Sequence, residues 1–221
     1  MTLPHIFSEE YIQEHCPHCD PASDAFSTLL NESEHFRIVC DHHPIIEGHI
    51  LIIPKEHFSC LGDYPEHIFS EFIDQYERVR NFLIEQYGCV SAFEHGKIGQ
   101  TVFHSHVHFL PYKGDPLLII SEGMEHLVAL PSFVELRRLY KQYGRYLFFS
   151  IDALAWVVNP LLATPRFFRD RFALALDVSE RGNWKNMHMN ERLMATAQED
   201  NARVKLLWDN GEICSDRLSR A

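Results

Sequence analysis

Three histidines stand at alternate positions in Gly99-Gln-Thr-Val-Phe-His104-Ser-His106-Val-His108-Phe-Leu-Pro111. On a strand, this spacing puts all three imidazoles on one face, roughly 13 Å from first to last, with Phe103, Val107 and Phe109 on the other. The three rings then act as one site. A neutral imidazole keeps a free lone pair at pH 7, and its bond to phosphorus becomes labile once the departing ring is protonated, so it can both attack and leave. A second group, Cys16-Pro-His-Cys19, has ligand spacing that suits tetrahedral zinc, which needs two further nitrogen or sulfur donors. Metal-free reduced thiols and a redox pair are the alternatives for these cysteines.

The elements that must position these groups are legible around them. Apolar runs at Phe36–Cys40 and His49–Pro54 read as a hairpin-like strand pair, with turn chemistry from Asp41, Pro44 and Gly48. Helical spacing of apolar residues over Asp63–Tyr87 predicts the main helix of the first half, stopped by Gly88. Cys89–Phe93 and Val102–Leu110 read as two more strands, joined by a loop over Glu94–Thr101. After Pro111 the pattern changes, and Gly114 and Pro116 mark a boundary. Beyond it a helix is expected over Ser132–Tyr143, strands at Tyr146–Ile151 and Leu154–Val158, and helices at Pro165–Leu176 and Asn190–Trp208. No internal repeat is present.

The 221 residues are 46% hydrophobic and carry a formal net charge of −11. Such a chain buries a substantial core and repels polyanions at long range, so nucleic acid is not the expected ligand. A small phosphorylated ligand remains compatible, held by local amides and imidazoles. Met1–Tyr11 lacks a basic cluster followed by an apolar core, and no later run approaches the roughly 18 apolar residues of a bilayer span, so a cytoplasmic location is expected. The cysteines should then stay mostly reduced, with Cys40, Cys60, Cys89 and Cys214 as ordinary buried thiols.

The segment from Gly99 to Pro111 resembles the signature of the histidine triad (HIT) family, alternating histidines preceded by Gly-Gln-Ser/Thr-Val. Upstream, Asp41-His-His-Pro44 through Gly48-His-Ile-Leu-Ile-Ile-Pro-Lys-Glu-His57 looks like the family's nucleoside-binding strand pair ending in Pro-Lys-x-His. Together the two motifs cover roughly residues 16–112. Ser105 departs from the pattern, which has an apolar residue there; a small polar group should perturb packing without removing any imidazole. The resemblance implies an α+β HIT fold, an antiparallel sheet with helices, over residues 1–112, and an α/β C-terminal extension over 113–221 that packs on it.

It also implies a role for each matched residue. His106 would attack the α-phosphorus of a nucleotide conjugate, such as a nucleoside phosphoramidate or dinucleoside polyphosphate, and form a nucleotidyl-histidine that water hydrolyses. His108 would donate to a phosphate oxygen or the leaving group. Gly99, Gln100 and Thr101 would hold the phosphate, Asp41 would accept the ribose hydroxyls, and His42 would line the base pocket. Glu94 aligns where many relatives place an amide near the phosphate or leaving group, and a carboxylate there would favour a neutral or basic leaving group; a solvated loop carboxylate is the plain alternative. His108 stands where the family's transferase branches carry Gln, which favours hydrolysis.

By the same resemblance, His57 and His104 would join Cys16 and Cys19 in a structural zinc site, and a homodimer is expected. The Cys-Pro-His-Cys motif also looks like that of thioredoxin-fold oxidoreductases, but residues 1–15 offer no hydrophobic strand to precede it. Pro165-Arg-Phe-Phe-Arg-Asp-Arg-Phe172 and Asn183-Trp-Lys185 faintly resemble an extension in longer HIT-like proteins. Arg166, Arg169 and Arg171 are expected as solvated arginines at a helix start, with phosphate pairing as the alternative. A zinc-stabilised nucleotide-binding module with little catalysis is the alternative to a hydrolase.

Overall fold

A computed structural model describes residue 13 and residues 15–218. Met1–Tyr11 lies outside the described residues, as does the side chain of Cys214. Among the described residues, the expected hairpin forms from β2 (Phe36–Cys40) and β3 (Ile50–Pro54), paired antiparallel from Phe36 opposite Pro54 to Cys40 opposite Ile50. β1 (Leu29–Glu32) adds to the outer side of β2, and β4 (Ser91–Gly96) and β5 (Val107–Leu110) complete the first half. Second-half strands β6 (Leu127–Ala129), β7 (Tyr146–Ile151) and β8 (Leu154–Val158) continue the same sheet, in the order β1-β2-β3-β5-β4-β7-β8-β6. β7 pairs antiparallel with β4 from Ser91 opposite Ile151 to Gly96 opposite Tyr146, so the outer edge of β4 is occupied within the chain.

Helix α1 (Glu66–Tyr87) covers one face of the sheet through Ile68, Phe69, Phe72, Val79 and Leu83. It starts three residues later than the apolar spacing predicts, because Leu61–Asp63 closes a separate 3₁₀ turn and Pro65 stands at the N-cap. It ends at Gly88, which takes φ +78° and donates its N–H to Ile84 O, as a left-handed C-cap requires. Helices α2 (Phe133–Tyr143) and α5 (Glu191–Leu218) reach the same face through Leu136, Val204 and Trp208. The opposite face is covered over β4, β7 and β8 by α3 (Phe167–Ala175), whose Phe167, Phe168 and Phe172 pack with Phe93 and Phe149. The short helix α4 (Trp184–His188) follows. No helix among the described residues is long and apolar enough to cross a membrane.

The strand expected over Val102–Leu110 is shorter than its apolar alternation implies. Ser105 donates its backbone N–H to Phe58 O at 2.6 Å, and His104 donates Nε2–H to Pro54 O at 2.9 Å. These bonds draw residues before Val107 out of the ladder and over the 54–58 segment, so His104 and His106 lie ahead of β5. The strand expected at Cys89–Phe93 begins later and runs on to Gly96, taking Glu94 and His95 out of the expected loop. Two core clusters divide along the faces, and Phe149, fully buried and stacked on Trp156 at 5.1 Å, sits at the centre of the second-half one. Phe149→Ala should lower unfolding free energy by about 3–5 kcal/mol, read from urea denaturation.

Candidate functional site

On the sheet face opposite α1, a cleft of about 260 Å³ opens beside the C-terminal end of β2. Its walls include Asp41, His106 and His108 from the first half, and Arg169, Trp184 and His188 from the second. Proton positions at its centre follow from the bonding. Ile45 donates its backbone N–H to His49 Nδ1 at 3.0 Å, so the fully buried His49 carries its own proton on Nε2. That atom lies 2.9 Å from His108 Nδ1, which must accept, leaving His108 Nε2–H as a donor. His106 Nδ1 lies 2.6 Å from His104 O, to which only an N–H can bond, so its Nε2 keeps a lone pair. The His106 and His108 rings are 4.8 Å apart. Burial is the largest influence on both and lowers their pKa, with Arg169 nearby acting the same way, so both rings are neutral near pH 7.

Asp41 is 7% exposed and lies at the floor of the cleft. Burial opposes its ionisation, but Arg169, His49 and the His43 backbone N–H outweigh that penalty and hold its pKa down to about 2. Arg169 Nη1 donates to Asp41 Oδ2 at 2.6 Å, His43 N–H donates to Oδ1 at 2.8 Å, and His49 Nε2 stands 3.5 Å from Oδ2. The remaining Arg169 bonds reach His43 O, Gly182 O and Arg181 O. Arg169 is therefore buried, against the expectation of a solvated arginine, because it serves as the counter-charge of the ionised Asp41. Arg171 pairs with Glu122 and Arg166 with Asp170.

Of the residues expected to hold phosphate and nucleoside, Asp41, His42 and Thr101 line the cleft; Gly99 and Gln100 do not. Gly99 takes φ +75°, and a Cβ there would meet Thr164 O at 2.6 Å. Its own carbonyl accepts from Arg166 N–H at 3.2 Å, so the second half fastens this loop. Gln100 donates to Ser59 O at 2.7 Å, and Thr101 Oγ1 accepts from Trp184 Nε1 at 3.3 Å. Glu94 departs furthest from expectation. Strand alternation sends Phe93 to stack on His108 at 4.3 Å and turns Glu94 to the opposite face, away from the cleft. There Glu94 accepts from Leu61 N–H and Ser105 Oγ, both at 2.9 Å, and from Tyr146 OH. Ser105 in turn meets Tyr64 OH at 2.7 Å, so the polar residue that breaks the family pattern is paired inside a buried network.

His104 turns away from the other two imidazoles. With Nε2–H given to Pro54 O, its Nδ1 lone pair faces Cys16 Sγ and Cys19 Sγ, each at 3.4 Å, and Cys19 Sγ lies 3.2 Å from His57 Nδ1. The four ligand atoms all lie within 4.8 Å of one another. Nitrogen and thiolate ligands on one tetrahedral zinc stand about 3.5 Å apart, so these residues fit such an ion in donor type and spacing. His18, between the two cysteines, sits edge-on to His106 at 4.9 Å. His18, His49 and His188 join the site without any sequence expectation; the histidine directly after Gly48, inside the matched strand pair, is the available signal for His49.

Residues 23–115 match the HIT domain family. An adenylylsulfatase of Arabidopsis thaliana is 28% identical over 99 residues, 43% of this chain and 50% of that protein. A HIT-like protein of Methanocaldococcus jannaschii is 31% identical over 93 residues, 39% of this chain and 70% of that protein. The chain belongs to the HIT domain family. A solved zinc-bound histidine triad protein from Mycobacterium smegmatis is 28% identical, covering 46% of this chain and 78% of that one, with a TM-score of 0.39. This HIT protein spans half the length of its Arabidopsis relative.

Two predictions follow from the buried charges of this HIT protein. Arg169→Met should cost about 3–5 kcal/mol in urea unfolding at pH 7, because it strands an ionised carboxylate. Burial lifts Glu94 to about 7 despite three hydrogen bonds that favour its charged form. An acid raised in the folded state binds more protons folded than unfolded between about pH 4.5 and 7, so its contribution falls as pH rises through that window. Stability of the wild type relative to Glu94→Gln should drop by a few kcal/mol between pH 5 and pH 8, on the order of two to three pKa units.

Proposed function

We propose that this protein is a nucleotide hydrolase that cleaves at the α-phosphate of a nucleotide conjugate, with His106 as the nucleophile. The observation that supports this most is the fixed tautomer of His106: Nδ1–H bonds to His104 O, and the Nε2 lone pair remains for a phosphorus atom in the cleft. In the first step Nε2 bonds to the α-phosphorus while the bond to the leaving group breaks, and that group departs with the electron pair. His108 Nε2–H, its direction set by His49, donates to a non-bridging oxygen or to the departing atom. Water then replaces the imidazole at phosphorus, releasing a nucleoside monophosphate and a proton and restoring the neutral ring. Phosphoryl-type transfer asks mainly for positioning, which rigid neighbours supply here.

Asp41 is assigned to the ribose hydroxyls, with its acceptor capacity shared with Arg169, and His42 to the base side. Thr101 is assigned to the phosphate; Gly99 and Gln100 act through the shape of their loop. Cys16, Cys19, His57 and His104 are assigned to one zinc ion. Bound there, zinc supplies a closed structural crosslink between the N-terminal segment and the residue that precedes the nucleophile by two. Adenosine phosphoramidate and a diadenosine polyphosphate are the discriminating substrates. Monophosphate release by the wild type, reduced at least about a thousandfold in His106→Ala, is the expected result. Saturable binding of both compounds without turnover would replace the hydrolase by a nucleotide-binding module.

A further inference from the structure

His42 and His43 lie side by side after β2, and His188 at the end of α4 meets them across 145 residues of sequence. His43 Nε2 and His188 Nδ1 are 3.2 Å apart, and one ring nitrogen from each of the three histidines lies within 4.8 Å of the others. Two nitrogens at that distance can share one proton, but a third imidazole converging on them has no part in such a bond. We propose that His42, His43 and His188 form a second site for a divalent transition-metal ion, zinc being the simplest occupant, separate from the Cys16/Cys19 cluster.

The chemistry and the surroundings agree. Imidazole nitrogens bind zinc at about 2.0–2.1 Å, which places two of them about 3.3 Å apart on a tetrahedral ion. An all-nitrogen set of this kind suits zinc, copper or nickel rather than calcium or magnesium. The rings are also held from behind. Ser27 Oγ lies 3.1 Å from His42 Nδ1, where the hydroxyl oxygen can accept from Nδ1–H and leave the Nε2 lone pair for the ion. The backbone N–H of His43 is tied to Asp41 Oδ1, and Trp184 packs against the His43 ring at 5.8 Å.

Three protein ligands leave at least one coordination position open, as in catalytic rather than structural zinc sites. All three histidines line the cleft that also holds His106 and His108. An ion there, with its open position, would contact an entering nucleotide on the side assigned above to the base. This last step rests on the nucleotide reading above, whereas metal binding does not.

The test is a metal count on the tag-free full chain, dialysed to equilibrium against zinc. The wild type should hold one equivalent more than His188→Gln, whose altered residue is exposed on a short helix, and the same difference should appear for His43→Gln. Cys16→Ser should lose a different equivalent and keep this one. Equal counts in the wild type and His188→Gln would overturn the site. Zinc should also tighten binding of ADP to the wild type and not to His188→Gln, and an unchanged ADP affinity would overturn the nucleotide contact alone. The count needs no nucleotide, so the site can fail while the hydrolase reading stands, and the reverse.

Discussion

Asp41 keeps its negative charge inside the protein, and that charge constrains both halves of the chain. Removing a carboxylate from water costs several kcal/mol unless a counter-charge and hydrogen bonds make up the loss. Arg169 supplies the counter-charge at 2.6 Å, and its other donors are satisfied by carbonyls of His43, Arg181 and Gly182. To meet these demands α3 must lie directly against the turn after β2. The segment that follows is thereby carried over the cleft, bringing Trp184 to Thr101 and His188 to His43. Asn201 on α5 completes the enclosure by donating to Asp41 O at 3.0 Å.

Inside that frame the imidazoles are arranged by what each can do with a single proton. The Ile45 backbone N–H fixes His49, His49 fixes His108, and His104 O fixes His106. His104 has two separate tasks, since its ring faces the cysteine pair while its carbonyl orients the neighbouring ring. A displacement of one is therefore transmitted to the other through a single residue. On the opposite face of the sheet, Ser105 anchors the same stretch of backbone to Glu94 and Tyr64. The segment carrying His106 is thus held from both faces although it lies outside the regular ladder.

Much of this arrangement is legible in the sequence because it rests on short-range pattern. The β2–β3 pair, α1 with its Gly88 stop, and β7 and β8 appear where alternation or helical spacing puts them. The Cys16/Cys19/His57/His104 grouping also assembles as the family resemblance implies. What local pattern misses is decided by partners far along the chain. The stretch from Val102 to His106 alternates like a strand, yet Pro54 and Phe58 carbonyls pull it aside. Glu94 looks like a loop carboxylate because β4 continues past Phe93 only by pairing with β7. Arg169 reads as a solvated helix arginine until the buried charge of Asp41, 128 residues away, is beside it. Short β1 and β6 carry too few residues for a periodic signal of their own.

The continuous sheet has a consequence for the nascent chain. Translation delivers residues at about 5–20 per second, so on the order of ten seconds separate Asp41 from the guanidinium that compensates it. Within that interval β4, once made, has an unfilled edge until β7 follows, and from residue 106 onward the growing polypeptide contains His106 but none of the Arg169, Trp184 and His188 wall of its cleft. Maturation of the pocket is thereby deferred until Trp184 and His188 have been made, and a product released before them would carry the His106 ring without its enclosure.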